Sequence, residues 1–138
     1  MTNITSKLSF VLYLLVTWPN LASNADMLTK YHIHIMDDLP DPSSKLFVHC
    51  KSADSDKGAR ELSPGQEYGW GTRVNVWRST LYFCLLKWEG VKERYIVAFK
   101  GHRDQGRCKH IKACLWKVRD NGIFFSNDNS TWSNEYPW

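Results

Sequence analysis

Ala113-Cys114-Leu115-Trp116-Lys117-Val118-Arg119-Asp120-Asn121-Gly122-Ile123-Phe124-Phe125 sets the architecture of this chain. Cys114, Trp116 and Val118 point one way and Leu115, Lys117 and Arg119 the other, which is the alternation of a half-buried strand. Asp120-Asn121-Gly122 reads as a hairpin turn, because Asn-Gly accepts positive φ at low steric cost. Ile123-Phe124-Phe125 returns as the partner strand.

The same period recurs upstream. Tyr31-His32-Ile33-His34-Ile35 alternates apolar with polar, and Leu46, Val48 and Cys50 alternate with Phe47, His49 and Lys51. Tyr68 and Trp70 share one face of an extended segment. Residues 79–86 are apolar on both faces, which predicts a central strand covered on its two sides. Glu89-Gly90 marks a tight turn, after which Tyr95, Val97 and Phe99 share a face. Segments 37–44, 52–65 and 100–112 read as polar connections, and 126–138 as a polar tail with scattered aromatics. No helix is expected. Seven or eight short strands predict an all-β, antiparallel β-sandwich of two sheets in a single domain over residues 26–138.

Residues 1–25 read as a secretory signal peptide: Lys7, then an apolar run from Leu8 to Val16, Pro19, and small residues at Ser23 and Ala25. The run is too short for the roughly 20 residues that span a bilayer, so the chain is not expected to be an integral membrane protein. Loss of Lys7 leaves 17 basic against 14 acidic residues in the mature chain, a net charge of +3. That excess is too small and too dispersed for a nucleic-acid binder.

Export decides the reading of the cysteines. Cys50, Cys84, Cys108 and Cys114 all follow the signal, and an even count in a short exported chain implies two disulfides. Four cysteines allow three pairings. Cys50 and Cys114 both sit on inward sides of strands, so an inter-sheet Cys50–Cys114 bridge is expected, with Cys84–Cys108 tying 100–112 to the central strand. No C-x-x-C pair points to zinc.

No nucleophile–base motif or phosphate loop is present, so neither an enzyme nor a cofactor is expected. Asp54-Ser55-Asp56 opens like a calcium loop and then lacks the required Gly and Glu. His32 and His34 share a strand face, more simply read as the polar side of an edge strand than as a metal site. Trp70 and Trp116 read as core rather than as a sugar-binding platform. Asn129-Ser130-Thr131 is an accessible N-glycosylation sequon.

Leu46-Phe47-Val48-His49-Cys50-Lys51-Ser52 with Asp54-Ser55-Asp56-Lys57-Gly58, Thr80-Leu81-Tyr82-Phe83-Cys84-Leu85-Leu86-Lys87-Trp88, and Cys114-Leu115-Trp116-Lys117-Val118 with Gly122-Ile123 resemble the plant self-incompatibility protein S1 homologues. The resemblance covers most of residues 31–125 and includes the order of all four cysteines. Thr72, Asp38 and Trp77-Arg78 depart from the pattern, where an aromatic, an Asn and a Phe-Gly-like pair are usual. The resemblance implies a secreted, apoplastic β-sandwich protein of plants. Founding members are similar to stigma-secreted ligands that reject self pollen through a receptor in the pollen membrane. A signalling ligand for a cell-surface protein receptor is therefore expected, the competing reading being a defence protein that binds a microbial wall or blocks a hydrolase. The expected contact is the cationic segment holding Lys100, Arg103, Arg107, Lys109 and Lys112, with His102 and His110. It suits an acidic receptor surface, a lipid headgroup or an acidic polysaccharide.

Overall fold

Alternating burial runs through most of the strands and sorts them into two facing layers. The computed structural model describes residues 29–138, so the signal-peptide reading lies outside the described residues. The order is β1 (Lys30–Asp37), β2 (Leu46–Lys51), β3 (Asp56–Leu62), β4 (Glu67–Arg73), β5 (Leu81–Trp88), β6 (Lys92–Lys100), α1 (Gly101–Arg107), β7 (Ala113–Arg119), β8 (Gly122–Ser126) and β9 (Ser133–Tyr136). One sheet has the order β4-β1-β7-β8-β9 and the other β3-β2-β5-β6. All neighbours are antiparallel except β1 and β7, which pair in parallel, so the five-stranded sheet is mixed.

The core lies between the sheets. Tyr31, Ile33 and Ile35 of β1 and Cys114, Trp116 and Val118 of β7 face Leu46, Val48 and Cys50 of β2 and Cys84 and Leu86 of β5. Trp116 is central: its ring centroid lies 5.1 Å from Phe125 and 5.8 Å from Tyr136, and its Nε1 donates to Ala98 O at 3.0 Å. This crosses from one sheet to the other and satisfies the indole inside the core.

Several sequence expectations are corrected. Segment 52–65 contains the edge strand β3, which alternation could not reveal because only Leu62 of it is buried. The tail contains β9. Tyr95 and Val97 face outward, but Phe99 is fully buried, because a bulge opposite Tyr82/Phe83 turns the chain over. Segment 100–112 is not a simple loop, since α1 occupies its first half. The Asp120–Asn121 turn joins β7 to β8 as expected, with the positive φ confined to Gly122.

The disulfides are Cys50–Cys84 and Cys108–Cys114, not Cys50–Cys114 and Cys84–Cys108. Cys50 and Cys114 do face the core from different sheets, as expected, but each bonds a nearer cysteine instead. Cys50 lies directly opposite Cys84 on the adjacent strand, at a Cα separation of 4.0 Å, a spacing suited to bridging neighbouring strands. Cys108 then joins the end of α1 to the start of β7.

Candidate interaction surfaces

The expected cationic segment is only partly available to a partner. Asp104 of α1 is fully buried, and the two arginines close on it. Arg103 donates Nε to Asp104 Oδ1 at 2.9 Å and an Nη2 hydrogen to Oδ2 at 2.8 Å, while Arg107 Nε donates to Oδ1 at 2.8 Å. The Lys100 amide donates to Oδ2 at 2.7 Å, so the carboxylate also caps the helix start. Arg107 lies over the Phe125 ring at 3.6 Å and reaches Glu135 at 3.3 Å. Burial works to lower the Arg103 pKa, but Asp104 outweighs it and holds that guanidinium above its ordinary value. For Arg107 burial prevails, and its pKa falls below the ordinary value. Arg103 and Arg107 therefore build the fold, whereas Lys100, Lys109 and Lys112 stand exposed. The buried Asp104 is also close to Cys108 and Cys114, but those sulfurs form a disulfide and offer no thiolate to a metal.

Strand ends gather more cations beside these lysines. Lys30, Lys51, Lys57, Arg73 and Arg78 lie at the same end of the sandwich as segment 100–112, as the pairings Lys30↔Arg73, Lys51↔Asp56 and Leu81↔Lys100 require. Ten basic residues thus meet five acids there (Asp54, Asp56, Asp104, Asp128 and Glu135), leaving +5 at that end. The other seven basic residues and eight acids of the described chain spread along the strands and the opposite end.

The outer face of the four-stranded sheet has a different character. Phe47, Phe83, Leu85 and Val97 are half-buried and Tyr95 is 61% exposed, with no layer over them among the described residues. The pairings His49↔Leu85↔Tyr95 and Lys51↔Phe83↔Val97 make this a continuous surface. Lys51 and Lys87 border it over the rings of Phe83 and Phe47, at 5.8 and 5.3 Å. At one end it runs into an open depression of ≈ 520 Å³, whose lining includes Phe47, Glu61, Trp88 and Glu93. The doubly apolar pattern of β5 was thus read correctly, but its expected second cover is absent among the described residues. By contrast, the turn between β8 and β9 lies against the outer face of the five-stranded sheet, where Lys117 sits 4.4 Å from the Trp132 ring.

The remaining sequence candidates fall into structural roles. Asp56 accepts from the Gly58 amide at 2.8 Å and pairs with His49 at 2.7 Å, the backbone bond first holding its pKa below the ordinary value. His32 and His34 share a face of β1, which is not the expected edge strand but an interior one between β4 and β7. Their rings stack at 6.4 Å, and His34 lies 3.4 Å from Glu67. Trp70 packs against Tyr68 and Tyr82, as a core-bordering residue should. Of the departures from the resemblance, Asp38 accepts from Arg119 at 2.7 Å, Thr72 is largely buried, and Trp77 is 84% exposed beside Arg78 at φ 55°. Asn129 is exposed at φ 60°, on a turn that Asp128 organises by accepting from the Ser130 and Thr131 amides. Those amides hold the Asp128 pKa down at about 2.

Sequence reasoning missed Asp104 and Tyr136. The signal for Asp104 was present: a lone acid within a cationic run is a candidate for collecting its arginines. Tyr136 carries no such mark, because its hydroxyl accepts from the Val97 amide at 3.2 Å, a contact 39 residues away in sequence.

Comparison with known proteins agrees with this geometry. The family model described as plant self-incompatibility protein S1 matches residues 32–138. Among relatives from Arabidopsis thaliana, S-protein homolog 6 is 43% identical over 57% of this chain and 56% of its own length. S-protein homolog 18 is 37% identical over 69% of this chain and 72% of its own, and S-protein homolog 2 is 32% identical over 87% and 75%. A solved structure of SPH (Self-Incompatibility Protein Homologue) proteins, described as a widespread family of small, highly stable, secreted proteins from plants, superposes with a TM-score of 0.62. It is 17% identical and covers 80% of this chain and 95% of its own. The mixed two-sheet sandwich, its cysteines and these matches together place the chain in the plant self-incompatibility protein S1 family.

Proposed function

We propose that this protein is secreted and works as a ligand, docking on a protein receptor at a plant cell surface in the kind of cell–cell signalling that reproductive recognition uses. The observation that carries this reading is the uncovered outer face of the four-stranded sheet, centred on Leu85 and Tyr95. Apolar surface kept together on a rigid scaffold and rimmed by charge of both signs marks a protein-binding site. Lys51, Lys87, Glu61 and Glu93 supply that rim. Membership of a family with secreted relatives supports export, and Asn129 is then available for glycosylation. Docking calls for no catalytic step.

The test is binding of labelled protein to living plant cells by the wild type and by a Leu85→Lys/Tyr95→Ser variant. Both positions face out of the fold, so the thermal transition should barely move. Binding should fall by about tenfold or more, the loss expected when central interface residues are removed. Undiminished binding would defeat the reading, as would a wild-type dimer that the variant dissolves, because the face would then be a self-association surface.

A further inference from the structure

We propose a second docking site, separate from the sheet face: the basic end of the sandwich binds an anionic phospholipid surface, with Val76 and Trp77 inserting at the headgroup level. The β4–β5 loop projects these two side chains into solvent at 66% and 84% exposure. They are not loosely held. The Asn75 side chain accepts from the Ser79 backbone amide at 2.9 Å and donates to the Ser79 hydroxyl at 2.9 Å, while the Asn75 backbone amide donates to Thr80 Oγ1 at 2.9 Å. Val74, at the loop's base, is buried, and the Gly101 amide donates to Thr80 O at 2.7 Å, fixing the loop to the start of α1. The result is a built turn that exposes a valine and a tryptophan at its tip. Leu81 and Ile111, each 40% exposed, add aliphatic surface at the same end.

A second observation concerns the backbone. Arg78, next to the tip, adopts φ 55°, a conformation that L side chains adopt rarely and at a steric penalty. Retention of a long cationic side chain where glycine would be relaxed is the kind of local strain that marks a functional site. Around this tip lies the net +5 of the basic end, including Lys30, Arg73, Lys100 and Lys112.

Aliphatic residues and tryptophan surrounded by Lys and Arg have the composition of an interfacial membrane contact. The aromatic ring sits at the headgroups, the aliphatics reach the acyl boundary, and the cations meet anionic lipid. Charge alone would equally suit a soluble acidic polymer, but such a polymer would leave Val76 in water. The apolar tip therefore favours a bilayer. Such a contact would hold the ligand against the cell surface and orient its sheet face along the membrane.

The experiment is co-sedimentation of the disulfide-bonded secreted protein with vesicles of phosphatidylcholine, with and without phosphatidylglycerol, at low and high salt. Binding should require phosphatidylglycerol and weaken with salt. Val76→Ser/Trp77→Ser should weaken it by about tenfold or more, from the apolar area lost, and should leave the thermal transition unchanged. Leu85→Lys/Tyr95→Ser should retain it, which separates this site from the sheet face. Failure to enrich on the anionic vesicles would overturn the proposal. So would vesicle binding that the tip variant leaves unchanged, or stronger retention on polygalacturonate that the tip variant keeps.

Discussion

Asp104 shows how one residue converts a cationic run into structure. Its buried carboxylate receives two arginines and the Lys100 amide. Removing it strands charges that are themselves half-buried, a change that costs about 3–5 kcal/mol. Asp104→Ala should therefore lower the denaturation midpoint by ten degrees or more, on the order expected for a domain this size. Replacing Arg103 and Arg107 as mere surface charges should also disturb the fold. Arg78 predicts a change of opposite sign. Arg78→Gly relieves a left-handed φ of 55° and should stabilise by about 1 kcal/mol, as chemical denaturation would show. Asp128 gives the pH dependence. Its folded pKa of about 2 lies below the ordinary carboxylate value of 3.8, so its contribution is complete above 3.8 and is lost as pH falls towards 2. Amide protection in the 126–131 turn, taken relative to the intrinsic exchange rate, should fall over that interval, and Asp128→Ala should flatten the dependence. Asp37 runs the other way. Burial raises its pKa, so its contribution is present at low pH and is lost as pH rises through the folded value.

At the level of elements, legibility followed burial. β1, β2 and β7 declared themselves because each has one buried and one less buried side, and Trp116 fell where the alternation put it. β3 buries a single residue, so no period marked it. α1 is seven residues long, too short to be stable on its own propensity, and contains Gly101 and Gly106. It exists because Asp104, its arginines and the Cys108–Cys114 bridge hold it, all of which are tertiary facts. Disulfide pairing was illegible for a related reason: facing the core does not say which strand lies alongside which, and Cys50 stands directly opposite Cys84 on its neighbour. The observed pairing makes unequal contributions predictable. Loop closure over 34 residues gives about 4 kcal/mol for Cys50–Cys84, against about 2 kcal/mol over 6 residues for Cys108–Cys114. Unfolding of the two double-alanine variants should show the first to be the more damaged, and the reverse order would contradict this account.

For the whole molecule, the C-terminal segment closes the sandwich. Trp138 donates Nε1 to Arg119 O at 2.6 Å and packs against Trp88 at 5.8 Å, while Arg94 donates to Pro137 O at 2.7 Å. With Trp116 on Ala98, Arg103 on Val97 O and Tyr136 on the Val97 amide, side chains occupy backbone groups along the free edge of β6. That guards this edge strand against pairing with another chain. The cations of segment 100–112 belong to a wider basic end of the sandwich, and two of them, Arg103 and Arg107, are taken up by Asp104. The sheet face was missed because the sequence of β5 announced apolar residues on both sides without saying that one would stay open.

The most direct measurement is positional photo-crosslinking on living plant cells. A photoreactive residue is placed either at Tyr95 on the outer face of the four-stranded sheet or at His34 on that of the five-stranded sheet. A receptor docked as proposed should be captured from position 95 and not from position 34. Capture from position 34 alone, or equally from both, would contradict the assignment of the binding face.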